Sequence, residues 1–294
     1  MKNEIKTAII LIAGRGTRFL PLTKVLPKEL FPLVDKPILQ YIVEEAINSG
    51  IKKIIFVASP EKEKYPSSRQ TLAYFRKQKI GKSLKKKKDS KELEKLNNLL
   101  KKATFQKVTQ EKPLGDGHAI LMAEKLVKEE PCAVLFCDDV VESKTPCLSQ
   151  LIKVFKKYKK PVVALKKLPK EKLSSYGVVK VKKEKERVYK IEDIKEKPLV
   201  KEAPSNLAIV GKYIITPEVF KFLKKSSSVK GEIRFSGALG EMIRDKKEIF
   251  GCEIEGKWLE CGNKIAYIKS IIYLSLKRPE FKKELRLFIK KQLR

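Results

Sequence analysis

A short glycine-rich segment carries the clearest chemical signal in this sequence. Residues 13 to 18 read Ala-Gly-Arg-Gly-Thr-Arg and directly follow an apolar run. Glycines let backbone amides approach and surround an anionic phosphate, and an arginine supplies a cationic fork. The segment lacks the ending of a Walker A loop and the third glycine of a dinucleotide-binding fingerprint. Taken alone, a turn that ends a strand explains it at least as well as a phosphate site.

More charged residues follow in a loop that contains three prolines. Lys24, Lys28 and Glu29 lie in the stretch PLTKVLPKELFP. Prolines disfavour an α-helix here and favour an extended path. We therefore expect Arg18, Lys24 and Lys28 to place positive charge around one polyphosphate.

Paired carboxylates form the second signal. Asp138 and Asp139 directly follow an apolar strand pattern. Ligands of open α/β sheets bind at the carboxyl ends of strands, where carboxylate oxygens suit a Mg²⁺ ion that holds a nucleotide through its phosphates. Capping of a turn or of the next helix is an equally good interpretation of the two residues alone. Glu260 is a candidate second ligand, so Asp138 and Glu260 are the predicted metal site.

Two further polar groups could contact a ligand. Gln110 precedes a glycine-rich turn at residues 115 to 117 that could bind a base, and Glu196-Lys197-Pro198 lies further along the chain. His118 is the only histidine. A cluster of histidine ligands is therefore excluded, and we expect His118 to cap or pack locally rather than to act in catalysis.

The elements that must position these residues alternate between strand and helix. Thr7 to Ala13 predicts a buried strand, Ile38 to Ser49 a helix that ends at Gly50, and Lys53 to Ala58 a second buried strand. This βαβ unit predicts a parallel sheet with helices on its faces. The other predicted elements are a helix at 117–127, strands at 133–137, 161–165, 176–181 and 207–215, and a helical C-terminal segment at 263–294.

Composition limits the class of protein. The chain has 294 residues, of which 42% are hydrophobic, so it can bury a sizeable core as one large or two smaller domains. No apolar stretch approaches the roughly 20 residues of a membrane span. The N-terminus lacks the apolar region of a signal peptide, and the five cysteines form no zinc pattern. We expect reduced thiols and a cytoplasmic location.

The charge is strongly positive. Lys and Arg number 67 against 35 Asp and Glu, a net charge of +32. The basic residues are spread along the chain, and the run Lys85 to Lys88 leads into an amphipathic helical pattern. Because nucleic-acid sites favour focused patches with arginine and aromatic residues, a solvated lysine-rich surface is the better interpretation. A general positive field would also attract polyphosphates.

Taken together, the motifs resemble a known family. They are AGRGTRFLPLTKVLPKELFPLVDKPILQYIVEEA, PLGDGHAI, LFCDDV, YGVV, EKP, PSNLAIVGKY and ECGNK, in this order from about residue 5 to about residue 270. This set resembles the bacterial UTP:glucose-1-phosphate uridylyltransferases, or UDP-glucose pyrophosphorylases, of the sugar-phosphate nucleotidyltransferase family. The resemblance implies a Rossmann-like three-layer α/β/α fold with a mixed, mainly parallel sheet. We predict a catalytic domain at 1–270 and a C-terminal helical extension at 271–294 packed on it.

The resemblance also implies an activity. UTP and glucose 1-phosphate would give UDP-glucose and pyrophosphate with Mg²⁺ as cofactor, without a membrane or nucleic-acid partner. The implied catalytic residues are Arg18, Lys28, Asp138 and Lys197. The implied nucleotide-binding residues are Ala13, Gly14, Gly16, Thr17, Glu29, Gln110, Gly115 and Asp139. The implied sugar-binding residues are Gly177, Glu196 and Asn206. The C-terminal helical region is a candidate surface for a homo-oligomer.

Several positions depart from the family pattern. Glu260 replaces an aspartate, Asp116 replaces a leucine, Thr109 replaces an arginine, and the segment 232–237 reads Glu-Ile-Arg-Phe-Ser-Gly in place of Glu-Ile-Gln-Leu-Thr-Asp. These changes bear on nucleotide preference and rate rather than on the fold. A relative with another sugar or nucleotide preference, or a weakened relative that binds nucleotide-sugar or nucleic acid, therefore remains an alternative.

Overall fold

The computed structural model describes residues 4–60, 73–75, 90–226 and 231–293. The strands are β1 (Thr7–Leu11), β2 (Pro32–Leu33), β3 (Lys36–Pro37), β4 (Lys53–Ala58), β5 (Thr104–Thr109), β6 (Cys132–Phe136), β7 (Asp139–Glu142), β8 (Val162–Lys167), β9 (Gly177–Lys185), β10 (Val188–Glu196), β11 (Leu207–Ile215), β12 (Phe250–Glu253) and β13 (Lys257–Glu260). The α-helices are α1 (Ile38–Asn48), α2 (Ser90–Leu100), α3 (Asp116–Met122), α4 (Glu124–Val127), α5 (Cys147–Tyr158), α6 (Pro217–Lys225), α7 (Phe235–Arg244), α8 (Lys264–Lys277) and α9 (Pro279–Gln292).

A nine-stranded sheet forms the centre, in the order β5-β4-β1-β6-β11-β8-β12-β10-β9. β5, β4, β1 and β6 are mutually parallel. β11 and β10 run opposite to the strands beside them, and β12 is parallel to β8. Seven of the nine strands therefore share one direction, which confirms the predicted mixed, mainly parallel sheet.

Alternate residues of the central strands enter two apolar cores. Ala8 and Ile10 of β1 join one core with residues of α1 and α5. Ile9 and Leu11 join the other core with residues of α3, α6 and α7. Because successive strand residues point to opposite faces, the sheet is buried on both sides. This arrangement is the predicted three-layer α/β/α fold.

Two smaller structures flank the sheet. β7 and β13 pair antiparallel and place Asp139 opposite Glu260. α8 packs along β13, and α9 packs on α8. The expected boundary after residue 270 falls inside α8, and the division into a 1–270 domain and a 271–294 extension stays a prediction.

Most predicted elements are present with small shifts of their ends. β4 and β11 have the predicted bounds, while β1 ends at Leu11 and the predicted helix at 117–127 divides at Ala123 into α3 and α4. The proline-rich loop holds short 3₁₀ turns at 17–19, 22–24 and 28–30. Lys85 to Lys88 lies outside the described residues. Over the ranges given above, no helix combines the length and apolar character that crossing a bilayer requires.

Candidate active site

A cavity of about 710 Å³ opens beyond the carboxyl ends of β1 and β6. Its volume is in the range of small-molecule sites. Most of the predicted site residues line it, although they are far apart in the sequence. They are Ala13, Gly14, Gly16, Thr17, Arg18, Lys28, Gln110, Gly115, Asp138, Asp139, Gly177, Glu196, Lys197 and Glu260.

The glycine-rich turn follows β1 and brings Lys28 back to the cavity. Gly16 has a φ of +66°, which favours glycine, and its carbonyl accepts a hydrogen bond from Thr23 Oγ1 at 3.0 Å. A Cβ atom on Gly16 would lie 2.9 Å from Thr23 Cγ2. Lys28 Nζ lies 4.0 Å from the position that a Cβ atom on Gly14 would occupy. The turn and the proline-rich loop therefore form one cationic wall.

Lys28 and Asp138 form a buried ion pair in this wall. Lys28 Nζ donates to Asp138 Oδ2 at 2.5 Å. Burial acts to lower the pKa of Lys28, but the Asp138 charge, the hydrogen bond to it and further negative groups together raise that pKa. Burial acts to raise the pKa of Asp138, but the Lys28 charge, the hydrogen bonds to the carboxylate and the Arg18 charge together lower it. Both groups are thus charged at neutral pH.

Asp139 occupies a different environment from its neighbour. Trp258 Nε1 donates to its Oδ1 at 2.8 Å, and the Gly211 amide donates to its Oδ2 at 3.2 Å. A Cβ atom on Gly211 would lie only 2.2 Å from that oxygen, so the site needs glycine there. Burial, and then the charge of Asp138, raise the pKa of Asp139 to about 7. Protein donors therefore hold both Asp139 oxygens.

Glu260 reaches the cavity from β13. Its Oε2 accepts a hydrogen bond from the Tyr176 hydroxyl at 2.5 Å. Its Oε1 accepts one from Asn263 Nδ2 at 3.1 Å, and Asn263 Oδ1 caps α8 by accepting from the Ala266 amide. The Glu260 carboxylate is thus held from two sides.

The two predicted metal ligands converge beside Gly262. The position that a Cβ atom on Gly262 would occupy lies 3.1 Å from Asp138 Oδ2 and 3.4 Å from Glu260 Oε1. Only the absence of a side chain leaves this space open between the two carboxylates. Hard oxygen ligands of this kind suit a divalent cation that keeps several waters and binds substrate phosphates. The residues present therefore fit a metal held by Asp138 and Glu260, although no cluster of three or more such ligands occurs in the part of the chain described above.

Gln110 and Gly115 line another part of the cavity wall. Gln110 Nε2 donates to the Gly115 carbonyl at 2.9 Å and lies 3.0 Å from His118 Nδ1. His118 thus contacts Gln110, and its expected role in capping or packing stays a prediction. Gly115, with a φ of +97°, packs on the backbone of Ile233, where a Cβ atom would lie 2.5 Å from the carbonyl oxygen.

Asp116, one of the departures from the family pattern, joins two segments of the cavity wall. Its Oδ1 accepts from the Phe235 amide at 2.9 Å and from the Gly117 amide at 2.8 Å. Burial raises its pKa. The carboxylate therefore fastens the start of α7 to the turn after Gln110, and the altered segment 232–237 forms part of the same wall.

A third group of residues lines the cavity where β9 begins and β10 ends. Gly177 pairs with Glu196 in the strand register, and a Cβ atom on Gly177 would lie 3.2 Å from Glu196 Oε2. Lys197 has a φ of +47°, and its amide donates to the Tyr176 carbonyl at 3.1 Å. A carboxylate and an ammonium group thus stand side by side at this end.

Three expected residues do not line the cavity. Lys24 lies in the 3₁₀ turn at 22–24. Glu29 follows Lys28 in the turn at 28–30 and is buried, because successive side chains of a 3₁₀ turn point in different directions. Asn206 is exposed before β11. The predicted place of Lys24 beside a polyphosphate stays a prediction. Sequence reasoning also left four residues without a role: Tyr176, Gly211, Trp258 and Gly262. Tyr176, Gly211 and Gly262 lie in the motifs YGVV, PSNLAIVGKY and ECGNK. Their places in these motifs are the signal from which the sequence could have indicated them.

The sequence matches known proteins over nearly its whole length. Residues 7–274 match the family model described as nucleotidyl transferase. A protein of Staphylococcus epidermidis named UTP–glucose-1-phosphate uridylyltransferase is 38% identical over 290 residues, which are 98% of each chain.

Solved structures agree with this match. A UDP-glucose pyrophosphorylase crystallised with UDP-glucose has a TM-score of 0.84 and 36% identity, and the match covers 94% of this chain and all of that one. A UTP-bound UGPase from Acinetobacter baumannii has a TM-score of 0.84 and 29% identity, over 97% of this chain and 99% of that one. Proteins of this family generally use a divalent metal.

Proposed function

We propose that this chain, which belongs to the nucleotidyl transferase family, joins UTP and glucose 1-phosphate to give UDP-glucose and pyrophosphate. The observation that carries the proposal is the single cavity that the Lys28–Asp138 pair, Glu260, the Gln110–Gly115 turn and the Gly177–Glu196 pair line together. The relatives named above support this reaction. A variant sugar or nucleotide preference is the alternative that the test below separates.

The reaction needs no general base. A sugar 1-phosphate is an anion at neutral pH, and one of its oxygens forms a bond to the α-phosphorus of UTP. The bond from that phosphorus to the bridging oxygen breaks, and pyrophosphate leaves with the electron pair. Catalysis then consists of positioning and of stabilising negative charge, which suits a cavity where Arg18, Lys28 and Lys197 are the cations assigned to phosphates.

The part of the cavity lined by Gln110 and Gly115 suits a uracil ring. Gln110 Nε2 donates to the Gly115 carbonyl and lies 3.0 Å from His118 Nδ1. We propose that His118 carries its proton on Nε2, so that both amide hydrogens of Gln110 are engaged and its Oε1 is presented as an acceptor. Uracil offers an N–H at ring position 3, whereas cytosine has an unprotonated nitrogen there. Gln110 and the glycine-rich turn are therefore proposed to select the base, with Ala13, Gly14, Gly16 and Thr17 close to the nucleotide and Glu29 behind them.

The part of the cavity lined by Gly177, Glu196 and Lys197 suits the sugar phosphate. Glu196 is a hydrogen-bond acceptor for glucose hydroxyls, and glycine at position 177 leaves room for a ring beside it. Lys197 is placed next to Glu196 to bind the phosphate. Asn206 would have to reach the sugar from outside the cavity, so its proposed role depends on movement of its side chain.

Mg²⁺ is the proposed cofactor. Asp138 and Glu260 would hold it beside Gly262, where it would neutralise phosphate charge and help fix the geometry of attack. Asp139, whose oxygens are held by Gly211 and Trp258, is proposed to keep the neighbouring backbone in place beside the nucleotide.

Pyrophosphate release tests the function. Purified protein with UTP, glucose 1-phosphate and Mg²⁺ is expected to release pyrophosphate and form UDP-glucose, while Asp138→Ala is expected to lose the activity. The matched control is Asp193→Ala, which removes an aspartate from β10 outside the cavity wall. A clear preference for dTTP or for another sugar phosphate would overturn the substrate assignment. Absence of release with every pair tried would leave the binding-protein alternative.

Cellular context is part of the proposal. All five cysteines are buried thiols, which supports work in the reducing cytoplasm. Exposed apolar side chains on α8 and α9 support assembly into a homo-oligomer. No membrane or nucleic-acid partner is proposed, and the partners are the two small-molecule substrates.

A further inference from the structure

Tyr176 lines the cavity and contacts two other residues of its wall, Trp258 and Glu260. It precedes Gly177, and its side chain is half-buried. Its ring lies against the indole of Trp258, with centroids 5.0 Å apart. Its hydroxyl donates to Glu260 Oε2 at 2.5 Å. The hydrogen bond thus connects Tyr176, beside Gly177, to the Glu260 carboxylate at the predicted metal site.

This contact leaves Oε1 as the Glu260 oxygen on the side of the candidate metal position, where Asn263 Nδ2 also donates to it at 3.1 Å. Tyr176 holds Oε2, whereas Oε1 is the oxygen near the open space beside Gly262 that Asp138 Oδ2 also faces. A glutamate side chain has one more rotatable bond than an aspartate, so its carboxylate loses more conformational freedom when it is fixed. A hydroxyl donor at the far oxygen removes that freedom before the metal arrives.

We propose that Tyr176 is a positioning residue that orients Glu260 for metal binding. The proposal rests on the function proposed above and assigns to the Tyr176 hydroxyl a role outside direct contact with the reacting atoms. Loss of a group that orients a metal ligand typically costs about 10- to 100-fold in metal affinity.

The test measures metal binding without turnover. Mn²⁺ alone, which also prefers oxygen ligands, is titrated into the full-length protein and free Mn²⁺ is read by electron paramagnetic resonance. Tyr176→Phe is expected to weaken Mn²⁺ binding by about tenfold. Tyr189→Phe is the matched control, because Tyr189 makes the same kind of bond to Glu253 Oε2 at 2.7 Å away from the cavity. It is expected to bind Mn²⁺ like the wild type.

A second pair of variants separates positioning from a general structural effect. Glu260→Asp shortens the side chain, so its carboxylate is withdrawn from the Tyr176 hydroxyl. In that background Tyr176→Phe is expected to change Mn²⁺ affinity little, which a double-mutant cycle measures as coupling. Equal losses in both backgrounds, or unchanged Mn²⁺ affinity of Tyr176→Phe, would overturn the proposal.

Absence of Mn²⁺ binding by the wild type would also overturn it. Pyrophosphate release with Mg²⁺ is measured separately, so failure of the proposed reaction is distinguishable from failure of this role for Tyr176.

Discussion

Neighbouring carboxylates in this protein differ because their donors differ. Asp138 accepts a hydrogen bond from the Lys28 ammonium group. Asp139 instead accepts from two uncharged donors, the Trp258 indole and the Gly211 backbone amide. The pKa of Asp138 is lowered and that of Asp139 is raised to about 7. Adjacent, chemically identical residues thus have opposite pKa shifts.

Gly211→Ala tests how closely the Asp139 environment is packed. The added methyl group would meet Asp139 Oδ2 at 2.2 Å and Phe136 Cβ at 2.7 Å. We expect a loss of about 1–3 kcal/mol in the free energy of unfolding, together with reduced activity, because an overpacked site must shift its neighbours. Urea unfolding and pyrophosphate release measure the two effects. Gly50→Ala is the control without a steric contact, because a Cβ atom there has no neighbour within 4 Å. Its φ of +95° adds backbone strain only. Full stability of Gly211→Ala would contradict this packing.

His118 gives the protein a pH dependence of known sign. Burial lowers its pKa from the ordinary value of 6.5, so below pH 6.5 the unfolded chain binds more protons than the folded protein does. The free energy of unfolding is therefore expected to fall as the pH decreases through this window. Urea unfolding at several pH values measures it, and His118→Asn should flatten the dependence. An unchanged profile in that variant would assign the dependence to other groups.

At the scale of elements, the cavity is built from strand ends that the sheet brings together. The β7–β13 pair sets Asp139 opposite Glu260, and the cap of α8 begins three residues after Glu260. Asp116 ties α7 to the turn after Gln110. The functional groups are therefore fixed by short polar links between elements rather than by long loops.

A buried ion pair joins α1 to the central strand β11. Lys212 Nζ lies 2.9 Å from Glu45 Oε2 without the alignment of a hydrogen bond, and Glu45 Oε1 accepts from the Leu148 amide. Glu45→Gln is expected to lower the free energy of unfolding by about 3–5 kcal/mol, because a buried charge loses its partner. Urea unfolding measures this.

The double variant tests the cause of that loss. Glu45→Gln with Lys212→Met removes both charges and is expected to regain much of the stability. The exposed pair of Lys95 and Glu92 on α2 is the control, since its loss is expected to cost less than about 1 kcal/mol. A double variant less stable than Glu45→Gln would contradict the account.

At the scale of the whole molecule, the net charge of +32 now divides into two parts. Arg18, Lys28 and Lys197 line the cavity and Lys212 is buried, whereas Lys24 lies outside the cavity. Most ion pairs among the described lysines are partly exposed and contribute little individually. The general field attracts polyanions, but the cavity supplies the selectivity.

Self-association is expected through α8 and α9. Ile265, Ile268 and Ile272 expose 43% to 60% of their surface along α8, and Phe288 exposes 57% on α9. Burial of such side chains in a second copy removes apolar surface from water. Sedimentation velocity is expected to show a dimer or larger species that Ile268→Ser with Phe288→Ser dissociates. Leu199→Ser, at an equally exposed site elsewhere, is the control. A monomeric wild type would contradict the expectation.

The sequence by itself determined the alternation of strands and helices, the glycine-rich turn and the acidic residues at the strand ends. Hydrophobic periodicity and glycine or proline positions are local signals, so β4 and β11 could be predicted to the residue. The tertiary structure alone decided that Glu29 and Asn206 leave the cavity wall and that Tyr176, Trp258 and Gly211 hold the carboxylates. These contacts join residues far apart in the chain, and side-chain direction across a sheet follows from register and packing, which no local pattern specifies.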